Sequence, residues 1–135
     1  TDSKVGYIGR KKLRELMEKI EEVKHEKMIG VCCYHSLIPT PLSVWRTDLI
    51  DSGDALYQFA NSSTNLVLSA TPSISFNVKI EDSVFCNGGN LEGTHFNPAI
   101  MEVTVHRDGL IQFTEHDLKL KESNITGIFK TSIPI

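Results

Sequence analysis

Leu13-Arg14-Glu15-Leu16-Met17-Glu18-Lys19-Ile20-Glu21-Glu22-Val23 decides the fold of this 135-residue chain. Its leucines, methionine, isoleucine and valine recur three and four positions apart, the spacing that gathers side chains onto one face of a helix. The residues between them are charged. Lys11 with Glu15, Arg14 with Glu18 and Glu15 with Lys19 each stand four apart, where opposite charges support a solvated helical face. The pattern predicts an amphipathic helix from Arg10 to about Lys27 with its apolar stripe lying on a sheet. It is too short for a coiled coil, which needs about three or four heptads in succession.

Outward from that helix the period changes. Lys4 to Gly9 alternates weakly and is flanked by glycine, as in a short strand. Met28 to Ile38 is apolar and mixed, and Pro39-Thr40-Pro41 then stops any helix or central strand. Ile74, Phe76, Val78 and Ile80 alternate with Ser75, Asn77 and Lys79, the period of two of a half-buried strand. Leu66-Val67-Leu68 is expected to be its antiparallel neighbour. Met101, Val103 and Val105 alternate with Glu102, Thr104 and His106, and Asp108-Gly109 follows as a two-residue hairpin signal, so Leu110 to Thr114 should return alongside. Leu118, Leu120, Ile125, Ile128, Phe129 and Ile133 supply one or two further strands. Loops are expected from Asp48 to Ala55 and from Cys86 to Pro98, the second longer than most connections. Glu81-Asp82 is expected to be a solvated strand end. The predicted architecture is α+β: one N-terminal amphipathic helix packed on an antiparallel β-sheet of about five to six strands, in one globular domain over residues 1–135.

Composition narrows the function classes. Hydrophobic residues at 40% and charged residues at 23% exclude a disordered or fibrous chain, and a domain of this size buries roughly two-thirds of its unfolded surface. A net charge of -3 argues against non-specific nucleic-acid binding as the main task. A local basic cluster remains in Arg10, Lys11, Lys12 and Arg14 at the helix start. Cations there oppose the helix dipole at a cost of a few tenths to about 1 kcal/mol unless an anion compensates, and the plain alternative is a solvated helix end. Three cysteines, Cys32, Cys33 and Cys86, form an odd set with two adjacent, which argues against a disulfide framework. No signal segment is recognised and no apolar run reaches about 18 residues, so a reducing, aqueous compartment is expected. Asn61-Ser62-Ser63 and Asn124-Ile125-Thr126 match the glycosylation triplet, a pattern that also recurs by chance.

Each catalytic or metal reading fails on spacing. Gly88-Gly89-Asn90-Leu91-Glu92-Gly93 lacks the glycine order of a phosphate cradle and precedes no expected helix. Cys32, Cys33, His35, Cys86 and His95 make only half of a zinc pattern, and Asp48, Asp51 and Asp54 lack the glycine and terminal glutamate of a calcium loop. Cys86 with His95 and Asp82 has the residue types for a thiol nucleophile without a local signature. Neither metal nor cofactor is expected, nor a small-molecule substrate or enzymatic activity. Trp45, the only tryptophan, is either a core anchor or a contact residue.

Leu13 to Val23, followed by Lys27-Met28-Ile29-Gly30-Val31, resembles the first helix and following turn of rhabdovirus matrix proteins, the lyssavirus branch above all. There too a basic residue and Met-Ile-Gly-Leu follow an amphipathic helix, and a Pro-x-Pro then precedes a tryptophan, as Pro39-Thr40-Pro41 precedes Trp45. The likeness covers about a third of the chain. It implies an α+β core from a longer protein, here without the basic, Pro-rich N-terminal arm. It also implies a structural protein that self-associates and links the viral nucleocapsid, a ribonucleoprotein, to an anionic membrane surface, in the virion and peripheral to membrane in the host-cell cytoplasm. Under this reading Arg10, Lys11, Lys12 and Arg14 contact membrane or ribonucleoprotein. Self-association falls to Pro39, Pro41, Trp45, Leu91, His95 and Phe96. A generic protein-binding module using a sheet face, and a small hydrolase using Cys86 or a serine, are the alternatives.

Overall fold

The computed structural model of the chain describes residues 6–39, 49–71, 74–89, 91 and 97–133. The predicted helix, α1, spans Arg10–Val23. Leu13 and Ile20 of its stripe are buried, and Leu16 and Met17 pack beside them. It ends about one turn before the predicted limit. After Val23 the run Lys24-His25-Glu26-Lys27 has nothing apolar to bury, and the chain turns with the Glu26 and Lys27 N–H groups donating to Val23 O.

A second helix, α2, spans Ser52–Ala60, where the sequence pattern predicts a loop. Asp51-Ser52-Gly53-Asp54 does have turn composition, yet those residue types also favour helix starts. Ala55 and Phe59, four apart, are buried beneath it. Nine residues give too little periodicity for the stripe to outweigh the turn signal.

Among the described residues seven strands form two sheets. The first has the order β1-β2-β4-β3, with β1 Gly30–Cys33, β2 Leu66–Ser69, β3 Phe76–Ile80 and β4 Ser83–Asn87. β1 and β4 each run parallel to β2, and only β3 is antiparallel, to β4. The expected antiparallel pairing of Leu66–Leu68 with the 74–80 strand is therefore corrected. A three-residue apolar run carries no direction, and α2 supplies the crossover that parallel β1 and β2 require. Glu81-Asp82 is the tight turn between β3 and β4, with Glu81 at a left-handed φ of 55°, rather than a free strand end. Cys86 lies in β4, so the long connection begins after Asn87.

The second sheet is an antiparallel meander of β5 Ala99–Val105, β6 Leu110–Asp117 and β7 Glu122–Lys130. The expected hairpin is present, through a three-residue loop rather than two. His106 N–H donates to Leu110 O and Gly109 N–H to His106 O, with Gly109 at φ 89°. The α+β class and the N-terminal helix thus stand. The described residues form seven strands rather than five or six, and α1 lies on the mixed sheet while the meander covers that sheet's other face.

The mixed sheet is apolar on both sides. Val67 and Phe85 face the helices, in one cluster with Leu13, Ile20 and Phe59. Leu66, Val84 and Cys86 face the meander, in a second cluster with Ile111 and Phe113. β4 is buried along its whole length, as expected of a strand covered on both faces. The two sheets meet at their edges. Asn77 Nδ2 donates to Thr126 Oγ1 (3.0 Å), Lys79 Nζ donates to Lys130 O (2.7 Å), and the Ser75 hydroxyl bonds the Glu115 carboxylate.

A Cβ at Gly109 would stand 2.4 Å from Thr131 O, and its φ already disfavours any other residue. Gly109→Ala should therefore destabilise the chain by about 1–3 kcal/mol, read as a lower urea midpoint with an unchanged slope.

Candidate functional site

Arg10, Lys11, Lys12 and Arg14 are all exposed on the first turn and a half of α1. That turn contains no acidic residue, and among the described residues no side chain caps the helix. Among the described residues none of the four cations forms an ion pair. The compensating anion comes from elsewhere in the chain. Asp51, at the start of α2, accepts Ile8 N–H on Oδ1 (3.0 Å) and Gly9 N–H on Oδ2 (2.8 Å), immediately ahead of α1. Partial desolvation pushes the Asp51 carboxyl up. The hydrogen bonds from Ile8, Gly9 and its own backbone outweigh it and hold the group below the usual carboxylate value. Asp51 thus clamps the segment ahead of α1 to the start of α2. Asp54 lies exposed in the first turn of α2, and Asp48 lies outside the described residues.

Two grooves flank α1. One, of about 400 Å³, lies between the helices, with Arg10 and Arg14 on one wall and Asp54 and Gln58 on the other. The other, of about 330 Å³, lies between α1 and β1, where Leu16, Val31, Leu49 and Phe59 form apolar walls and Lys12 stands among them. Both grooves reach the basic cluster. Of the residues assigned to self-association, Pro39 and Leu91 are exposed, Leu91 by 64%, while Pro41, Trp45, His95 and Phe96 lie outside the described residues.

The thiols do not converge. Cys32 is exposed at the sheet edge, Cys33 is half-buried with its Sγ donating to His35 O (3.3 Å), and Cys86 is buried against the meander. Burial pushes the Cys86 thiol up to about 12. Burial, then the neighbouring Cys32, pushes Cys33 up to about 11. Both shifts disfavour the thiolate that nucleophilic or metal chemistry needs. Among the described residues no three metal-ligating side chains come together. Asp82, the proposed acid partner of Cys86, instead accepts Ser132 N–H (3.1 Å).

Strand register assembles a constellation that the sequence did not reveal. On the outer face of the meander His116 Nδ1 bonds Ser123 Oγ (2.7 Å) and Nε2 bonds Glu102 Oε1 (3.1 Å), crossing all three strands. A serine, an imidazole and a carboxylate in line are the groups of a hydrolytic triad. The backbone of His116, on the central strand, is committed to the ladders in which it pairs with Ile100 and Ser123, so its own N–H is not free to serve an oxyanion. The arrangement acts as a polar pin across the sheet. Beside it stand exposed Ile100, Ile125 and Ile128.

Two outcomes follow from these environments. Asp51→Asn should cost about 1 kcal/mol at neutral pH by weakening the clamp. A carboxyl held below its ordinary value, near 3.8, contributes stability that is complete above that value and lost as the pH falls through its lower folded value. The wild-type advantage in thermal melts should therefore persist at pH 5 to 7 and shrink as the pH falls below the ordinary carboxylate range. Separately, an aromatic disulfide reagent at pH 8 should label one thiol rapidly, and Cys32→Ser should remove that phase. A fast phase from Cys86 would contradict its burial. No protein-family model matches the chain, and no match was found among curated proteins or solved structures.

Proposed function

We propose that this chain is a non-enzymatic viral assembly protein of the rhabdovirus matrix type, which self-associates and links a ribonucleoprotein to an anionic membrane surface, lying peripheral to that membrane in the virion and host-cell cytoplasm. The observation that carries this reading is the state of Arg10, Lys11, Lys12 and Arg14. Four cations project from one end of a helix whose other face is fixed in the core, none of them forms an ion pair among the described residues, and the Asp51 carboxylate beside that end is occupied by backbone N–H groups. A chain of net charge -3 displays them together, so any attraction to a polyanion is local to this end of the molecule. Among the described residues no helix is long and apolar enough to cross a membrane, and a peripheral contact through α1 does not need one. The likeness of residues 13–45 to the matrix proteins supplies the viral context.

A protein-binding module is the second reading, favoured by Ile100, Ile125 and Ile128 on the outer face of the meander. Exposed apolar groups collected on one sheet face are a common mark of an interface.

The double reversal Lys11→Glu/Lys12→Glu tests the main reading by co-sedimentation with vesicles containing phosphatidylserine and by titration with single-stranded RNA. Each cation near an anionic surface contributes about 1 kcal/mol, so binding should fall at least about tenfold, and wild-type binding should weaken as salt rises. Unchanged binding to both would overturn the membrane and ribonucleoprotein contact. A monomer at every concentration in sedimentation velocity, with or without RNA, would overturn self-association.

A further inference from the structure

The four-stranded sheet has two edges with different fates. At β3 the edge is closed, because β7 lies against it through the Asn77–Thr126 and Lys79–Lys130 contacts. At β1 the strand is, among the described residues, hydrogen-bonded to β2 alone, and Gly30 and Cys32 are exposed. Every second residue of such a strand turns its N–H and C=O away from the sheet, an arrangement that pairs readily with another extended chain.

The groove between α1 and β1 opens onto that edge. Its walls are mostly apolar, with His35 at one end, and Tyr7 and Tyr34 stand at it 67% and 61% exposed; among the described residues Lys12 is its one lysine or arginine and no carboxylate lines it. A strand added beside β1 would place alternate side chains on the α1 side of the sheet, towards Leu16 and Phe59. Its neighbours would lie close to Lys12. About 330 Å³ accommodates one large side chain and part of a second.

From these features we propose that the β1 edge and its groove form a docking site for an extended, acidic segment of a partner protein, which joins the sheet as a fifth strand and seats one large apolar side chain beneath α1. Main-chain pairing with β1 supplies the binding geometry, the groove selects the apolar residue, and Lys12 selects the flanking carboxylates. The site is independent of lipid and RNA contact, although Lys12 belongs to both surfaces.

The test uses the full chain, without lipid or RNA, and two synthetic heptapeptides. Each has a central phenylalanine and alternating threonines, one with glutamate and the other with lysine at the remaining positions. Binding is followed by amide chemical shifts and hydrogen exchange. The glutamate peptide should shift the Gly30–Tyr34 amides and slow their exchange, and methylating its alternate backbone nitrogens should abolish both effects. Lys12→Glu should weaken the glutamate peptide about three- to tenfold and favour the lysine peptide. Lys11→Glu, outside the groove wall, should weaken vesicle binding while changing peptide binding less than about twofold. No shift at millimolar peptide, binding indifferent to N-methylation, or equal affinity for both peptides overturns the proposal. Concentration-dependent shifts of the same amides without peptide would show that a second copy of the chain occupies the edge, and would overturn the assignment to a partner.

Discussion

The burial of β2 and β4 on both faces is the constraint from which the rest of the structure follows. Leu66, Val84 and Cys86 point one way and Val67 and Phe85 the other, so these strands need two covering layers. The helices provide one and the meander the other. Buried polar side chains then fix the layers in register. Asn65 accepts Ile29 N–H and donates to Thr131 Oγ1 and Ser132 O, which joins the α1–β1 turn to the end of the meander. Ser83 donates to Phe59 O and Thr64 O, which seats the end of α2 on β4. Asn87 uses both amide atoms on Ser69, Thr71 and Ile74. A buried polar group without partners costs about 1–3 kcal/mol, so these contacts disfavour alternative stackings more than they add net stability.

The display of charge follows from the same layering. Because Leu13 and Ile20 commit one side of α1 to the core, Arg10, Lys11, Lys12 and Arg14 are turned to solvent. The helix start then tolerates four cations because Asp51 provides the negative charge that the first turn lacks. A surface feature of α1 is thus maintained by a residue at the start of α2.

Legibility in the sequence tracked the range of the interactions. α1 and the β5–β6 hairpin were readable because their signals, an apolar stripe and an alternating run ending in Asp-Gly, are local. α2 was hidden by its turn-like first residues. The parallel pairing of β2 was hidden because direction is set by the crossover and not by Leu66-Val67-Leu68 itself. β4 was missed for the reason that makes it central: a strand buried on both faces shows no alternation. The cation cluster could be read as a contiguous string. Its counter-charge at Asp51, the Glu102–His116–Ser123 line and the groove beside β1 could not, since each depends on strands or helices far apart in the chain.

The Asp51 clamp also bears on the order of events during folding. It joins residues 42 and 43 positions apart, so it forms only after the chain between them has been drawn into place. Closing a loop of that length carries an entropy cost that grows only slowly with further length, but it must be met before the contact gives anything back. The stretch whose helical character is plainest in the sequence therefore owes its final position to residues far along the chain, in α2, β2 and β4.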